Sequence, residues 1–120
     1  MKTILVFGNE FLKEDSMAKK LADEIESKEL NFVKCNSVDD IFKQKGELVI
    51  MDVVKGIKKP MIIHDVGKLE AGSITSLHDF DLGFFLKLLN EMGQIKKLKI
   101  IGVPEKGNVS ELKKQVLKLV

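Results

Sequence analysis

The pattern that decides the fold begins with TILVFGN at residues 3–9. A continuous, mainly apolar run over residues 3–7, closed by Gly8-Asn9, predicts a short strand buried on both faces. The pattern becomes helical from Asp15, with lysines and acids, Lys19 among them, on the face opposite the apolar one. The apolar residues that recur every fourth position in this helix are Met17, Leu21 and Ile25.

Strands and helices continue to alternate along the chain. Three further helices are predicted: a short one over residues 37–42, a strongly apolar one over 79–92, and a last one over 108–119, where Asn108 is the cap. The remaining predicted strands are residues 31–35, 47–51, 60–63 and 100–103. This order predicts an α/β protein: a three-layer α/β/α sandwich around a five-stranded, mostly parallel sheet with one antiparallel strand.

The antiparallel strand is residues 60–63. Its link to the strand before it is too short for a helical crossover, so it should run antiparallel to that third strand. Pro60 opens it, which places it at the periphery because proline cannot donate a ladder hydrogen bond.

Composition excludes several classes of function. The 120 residues allow one domain, 1–120, and its 20 basic residues, all lysine, face 18 acids without a dense basic block, which disfavours nucleic acid as a partner. The single Cys35 excludes an internal disulfide and a CxxC metal site, and we expect it to be a packed thiol. Because no apolar stretch reaches 18 residues, we expect a cytoplasmic protein without a membrane partner. We also expect a monomer.

Candidate functional residues follow from the predicted sheet, since ligands of open parallel sheets bind beyond the carboxyl ends of the strands. A histidine with carboxylates suits a borderline divalent metal such as zinc or nickel. Acids and hydroxyls at these positions are also ordinary first-turn and capping residues, so the residues alone leave both interpretations open. The candidates at this edge are Asn9, Glu14, Asp15, Asp52, Lys55, Thr75, Ser76 and His78, whereas His64-Asp65 should lie at the opposite edge.

Three segments resemble signatures of one family. They are GNEFLKEDSMA at residues 8–18, SITSLHDFDL at 73–82 and IGVPE at 101–105. Together they resemble the nickel–iron hydrogenase maturation endopeptidases, which remove a C-terminal extension from the hydrogenase large subunit after nickel insertion. The resemblance covers nearly the whole chain in order, and Ser16 and Ala18 replace two glycines of the first signature.

The resemblance implies roles for individual residues. Asp15 and His78 would be catalytic residues that contact nickel carried by the substrate, a large-subunit precursor, with zinc or cadmium able to substitute in crystals. The usual third ligand position falls on Lys55, so Asp52 would take over as a metal ligand, or Lys55 would pair with Asp15. The residues implied to contact the substrate are Asn9, Glu14, Thr75 and Ser76.

Two other functions stay open at this point. A divergent, non-catalytic member could bind the precursor or another maturation factor, which Lys55, Ser16 and Ala18 suggest. A receiver-like signalling domain, phosphorylated on Asp52, would suit the length of the chain. This chain lacks the acidic pair with which such a domain holds magnesium after the first strand. Gly8-Asn9 occupies that position.

Overall fold

The structure is a computed structural model that describes residues 2–9, 11–35, 41, 47–63, 74–75 and 98–120. In these ranges the chain forms one mixed sheet and two α-helices. The helices are α1 (Met17–Glu24) and α2 (Val109–Leu119), and a 3-10 turn at Lys13–Asp15 precedes α1. The strands are β1 (Lys2–Val6), β2 (Leu30–Lys34), β3 (Leu48–Val54), β4 (Met61–Ile63), β5 (Ile74–Thr75) and β6 (Leu98–Val103).

The strand order is β2-β1-β3-β6-β4, with β5 beside the end of β3. Strands β2, β1, β3 and β6 are mutually parallel, which confirms the predicted α/β class and its mostly parallel sheet. β3 occupies the centre, and all seven of its residues are buried. A strand buried on both faces has no polar alternation, which is why residues 48–51 form a continuous apolar run in the sequence.

Strand β4 runs antiparallel at the edge of the sheet, as the short link before it predicts. Its neighbour is β6, with Met61 opposite Gly102 and Ile63 opposite Ile100. β4 therefore leads away from the carboxyl edge of the parallel strands. The predicted position of His64-Asp65 at the opposite edge lies outside the described residues.

Both faces of the sheet are buried. On one face, Val6 and Met51 pack with α1 and α2 residues such as Leu21 and Val116. On the other face, side chains that include Leu5, Phe7, Ile50 and Ile100 form a second cluster with Cys35, whose burial confirms the predicted packed thiol. The predicted helices over 37–42 and 79–92 lie outside the described residues, apart from Ile41, which joins this second cluster.

Helix α2 begins where the sequence predicts. The Asn108 side-chain oxygen accepts a hydrogen bond from the Glu111 N–H at 3.1 Å, which satisfies one of the amides that the first turn leaves open. Within the described part of the chain, no helix has the length and apolar character needed to cross a membrane.

Candidate functional site

The loop after β1 folds back on itself and fixes Asp15. The Asn9 N–H donates to Asp15 Oδ2 at 2.9 Å, and the Asp15 N–H donates to the Leu12 carbonyl at 3.0 Å. The Asn9 side-chain oxygen accepts from the Phe11 N–H at 2.8 Å, so this predicted substrate contact shapes the loop. Asp15 is fully buried at the end of the 3-10 turn, whereas the sequence placed it at the start of a helix.

Gly8 allows the loop to pass close to the end of β3. Its φ of +121° is a conformation that residues with a side chain rarely adopt. A Cβ on Gly8 would lie 2.6 Å from the Asp15 carbonyl oxygen, 3.5 Å from Asp15 Oδ1 and 3.6 Å from Asp52 Oδ1. Carboxylate oxygens of Asp15 and Asp52 are thus both within 3.6 Å of one point at the carboxyl edge of the sheet.

Asp52 is the second buried carboxylate of the site. The sequence predicts that β3 ends at this residue, but the strand continues to Val54 and holds Asp52 opposite Gly102. Its Oδ1 accepts from the Val53 N–H at 2.8 Å, while its Oδ2 has no hydrogen-bond partner among the described residues. Burial raises the pKa of the Asp52 carboxyl well above its usual value, and the Asp15 charge raises it further. The Val53 N–H and the charge of Lys19 act in the opposite direction.

Lys19 is a member of this site that the sequence analysis missed. The amphipathic pattern predicts it on the polar face of α1, but its side chain is only 2% exposed, and its charge acts on Asp52. A lysine is almost never buried without a charged partner. The available signal was the four-residue spacing from Asp15 to Lys19, which brings the two residues to the same side of a helical segment.

We expect Lys19→Met to lower the free energy of unfolding at neutral pH by about 3 kcal/mol, because removal of a buried cation leaves carboxylate charge uncompensated. Methionine keeps most of the side-chain length and removes the ammonium. Urea unfolding measures the change. The matched control is Lys20→Met in the exposed neighbouring lysine, where we expect a change within about 0.5 kcal/mol. Equal losses in the two variants would contradict a special role for Lys19.

Comparison with known proteins gives one consistent result for the fold. No family model and no curated protein matches the sequence. A crystal structure of a hydrogenase 3 maturation protease is similar, with a TM-score of 0.68 at 16% identity over 98% of this chain and 88% of that one. The maturating endopeptidase HybD from E. coli has a TM-score of 0.63 at 18% identity over 99% and 91% of the two chains. The protease HycI from Thermococcus kodakarensis KOD1 has a TM-score of 0.57 at 15% identity over 98% and 88%.

The protein has the fold of the hydrogenase maturation proteases. Identities of this size establish the shared architecture. They do not assign roles to individual residues, which rest on the geometry of this chain.

Within this maturation-protease fold, Asp52 and Lys55 have separate positions. Asp52 is buried beside Asp15, whereas Lys55 is exposed in the turn that follows β3. The acid that accompanies Asp15 is therefore Asp52, and the cation whose charge acts on Asp52 is Lys19.

The remaining predicted site residues are Glu14, Thr75, Ser76 and His78. Thr75 lies in β5 opposite Val53, so the chain passes beside Asp52 at this point. His78 and Ser76 lie outside the described residues, and Glu14 belongs to the 3-10 turn. The described ranges contain no group of three or more His, Cys, Asp and Glu side chains that could hold a metal.

Proposed function

We propose that this protein is an endopeptidase that removes the C-terminal extension of a nickel–iron hydrogenase large-subunit precursor after nickel insertion. The observation that carries the proposal is that the Asp15 and Asp52 carboxylates each have an oxygen within 3.6 Å of the position that a Cβ on Gly8 would take, at the carboxyl edge of the sheet. It is supported by the fold that the chain shares with hydrogenase maturation proteases. Since ligands of open α/β sheets bind at this edge, the two acids occupy the expected position for a reaction centre.

Nickel enters this proposal as part of the substrate. Carboxylate and imidazole groups are acceptable ligands for nickel, and Asp52 Oδ2 is an acceptor without a hydrogen-bond partner in the described ranges. Asp15 and Asp52 would contact the ion together with His78, the histidine that the resemblance to the family implies. A bound divalent ion can polarise a scissile carbonyl or promote attack by water.

Lys19 supports the view that the ion arrives with the substrate. Its buried positive charge already acts on Asp52 in the direction that favours the carboxylate. A free cation would have to compete with this ammonium, so the site should have weak affinity for free nickel. A nickel ion that is held by cysteines of the precursor brings its own ligands and needs only additional contacts.

The test is cleavage of nickel-loaded and nickel-free precursor by the purified protein. We expect the loaded form to be cleaved at least about ten times faster, because binding energy from the ion is available only there. Electrophoretic separation of precursor and product over time measures the rate. Equal cleavage of the two forms would contradict nickel-gated proteolysis. Binding of the loaded form without cleavage would establish the non-catalytic alternative.

The receiver-like alternative finds no support in the site. A receiver domain holds magnesium with an acidic pair after its first strand, and this chain has Gly8-Asn9 at that position.

A further inference from the structure

A groove crosses the carboxyl edge of the sheet next to Asp15. Its larger part is a cavity of about 620 Å³ between the start of α1 and the loop that joins β6 to α2. A second cavity of about 370 Å³ lies between the same loop and the turn after β3. Glu105 and Lys106 line both cavities, so we treat them as one surface, the β6–α2 groove.

The β6–α2 groove is strongly positive compared with the chain as a whole. Across the sequence, 20 lysines nearly balance 18 acids, but among the described residues that line the groove four lysines face a single acid, Glu105. Three of the lysines line the larger cavity, and two line the smaller, since Lys106 belongs to both. They are Lys13, Lys20, Lys106 and Lys58, and all four are exposed.

We propose that the β6–α2 groove binds an acidic peptide segment of the protein substrate. Charge complementarity of this kind concentrates a partner of opposite charge and sets its orientation. Lys13 and Ser16, which flank Asp15 in the chain, line the groove, so a segment bound there would lie next to the loop that holds Asp15. The groove thus adds a recognition surface to the proposed function, on which the assignment of the peptide to the precursor rests.

The chemistry of the groove favours a peptide over nucleic acid. No described lining residue is aromatic, and stacking on aromatic side chains is the usual source of affinity for single-stranded nucleic acids. The chain also lacks arginine, which makes the paired hydrogen bonds typical of phosphate recognition. Ammonium groups on flexible stems suit carboxylates that are spaced along an extended segment.

The test is fluorescence anisotropy with rhodamine-labelled hexaglutamate at low salt, and with hexaglutamine as the uncharged probe. The groove variant combines Lys13→Gln, Lys20→Gln and Lys106→Gln. The control variant combines Lys28→Gln, Lys114→Gln and Lys118→Gln, which are exposed lysines outside the groove. Both variants lower the net charge by the same amount. A difference in hexaglutamate binding between them therefore reflects where the replaced lysines lie.

We expect hexaglutamate to bind the wild-type protein and hexaglutamine not to bind. The groove variant should weaken hexaglutamate binding about tenfold and the control variant by less than about twofold. Equal weakening in the two variants would overturn the proposal, as would a labelled oligothymidylate that binds the groove more tightly than hexaglutamate. Failure of the wild-type protein to cleave any precursor would refute the proposed function alone, since peptide binding is measured without cleavage.

Discussion

We expect Gly8→Ala to lower the free energy of unfolding by about 4 kcal/mol, the largest loss of stability predicted for this chain. Backbone strain contributes about 1–3 kcal/mol, because Gly8 has a φ of +121°. Steric overlap contributes a similar amount, because the new Cβ would lie 2.6 Å from the Asp15 carbonyl oxygen. Urea unfolding followed by circular dichroism measures the change.

The Asp15 carbonyl has little freedom to move away from the new methyl group. The Asp15 N–H is bound to the Leu12 carbonyl, and its carboxylate is bound to the Asn9 N–H. Any displacement of this turn would also move the Asp15 carboxylate away from Asp52. We therefore expect the fraction of Gly8→Ala that still folds to lose precursor cleavage.

Gly56→Ala is the matched control for the steric part of this prediction. Gly56 also has a positive φ, +89°, but a Cβ there would meet no described atom within 4 Å. This variant should lose only the cost of the left-handed backbone, about 1–2 kcal/mol. A loss of equal size in the two variants would show that Asp15 does not resist the substitution at Gly8.

Strands β1 and β3 could be predicted because burial on both faces leaves a direct trace in the sequence. Residues 4–7 and 48–51 are apolar without alternation, and each run lies next to a helical pattern or a turn. The direction of β4 followed from chain length alone, since its short link cannot cross the sheet. The start of α2 followed from Asn108, whose side chain caps the helix as its position suggests.

Other parts of the fold depend on contacts that local sequence does not encode. β5 has two residues, too few for a pattern, and it exists because its backbone pairs with Val53 and Val54. The extension of β3 through Asp52 is set by its register with β6. Lys19 follows the helical period on the polar side of α1, but the buried acids at the end of the sheet override that preference.

The site shows the same division between local and tertiary information. Resemblance to a family put Asp15 in the site and placed the third ligand position at Lys55, three residues after Asp52. The geometry places Asp52 near Asp15, since carboxylate oxygens of both lie within 3.6 Å of the position that a Cβ on Gly8 would take, whereas Lys55 is exposed. The sequence offered both Asp52 and Lys55, and only the folded backbone separates their positions.

We expect Asp52→Asn to reduce cleavage of nickel-loaded precursor by at least about 100-fold and to increase the free energy of unfolding at neutral pH by about 1–3 kcal/mol. Cleavage falls because a neutral amide is a poor metal ligand. Stability rises because burial and, to a smaller extent, the Asp15 charge oppose ionisation of Asp52, and a neutral amide removes this cost, while its side-chain oxygen can still accept from the Val53 N–H. Timed cleavage and urea unfolding measure the two effects.

The gain in stability from Asp52→Asn should increase as the pH rises. Burial raises the pKa of Asp52 in the folded state above its value in the unfolded chain, so the folded protein holds this proton more tightly. Below the unfolded pKa, about 3.9, Asp52 is protonated in both states, and the advantage of the variant should be smallest. As pH rises through the folded pKa, the wild-type protein loses stability and the advantage should grow to its full size.

Urea unfolding of both proteins between about pH 4 and about pH 8 measures this trend. Asp23→Asn is the matched control, because Asp23 is an exposed acid that pairs with Lys34 at 2.7 Å. An exposed pair contributes at most about 1 kcal/mol, and its loss should destabilise the protein slightly at neutral pH. At neutral pH we therefore expect Asp52→Asn to raise the free energy of unfolding and Asp23→Asn to lower it. An Asp52→Asn variant that is destabilised at neutral pH would mean that the Asp52 charge is stabilised in the folded protein more strongly than its burial opposes it.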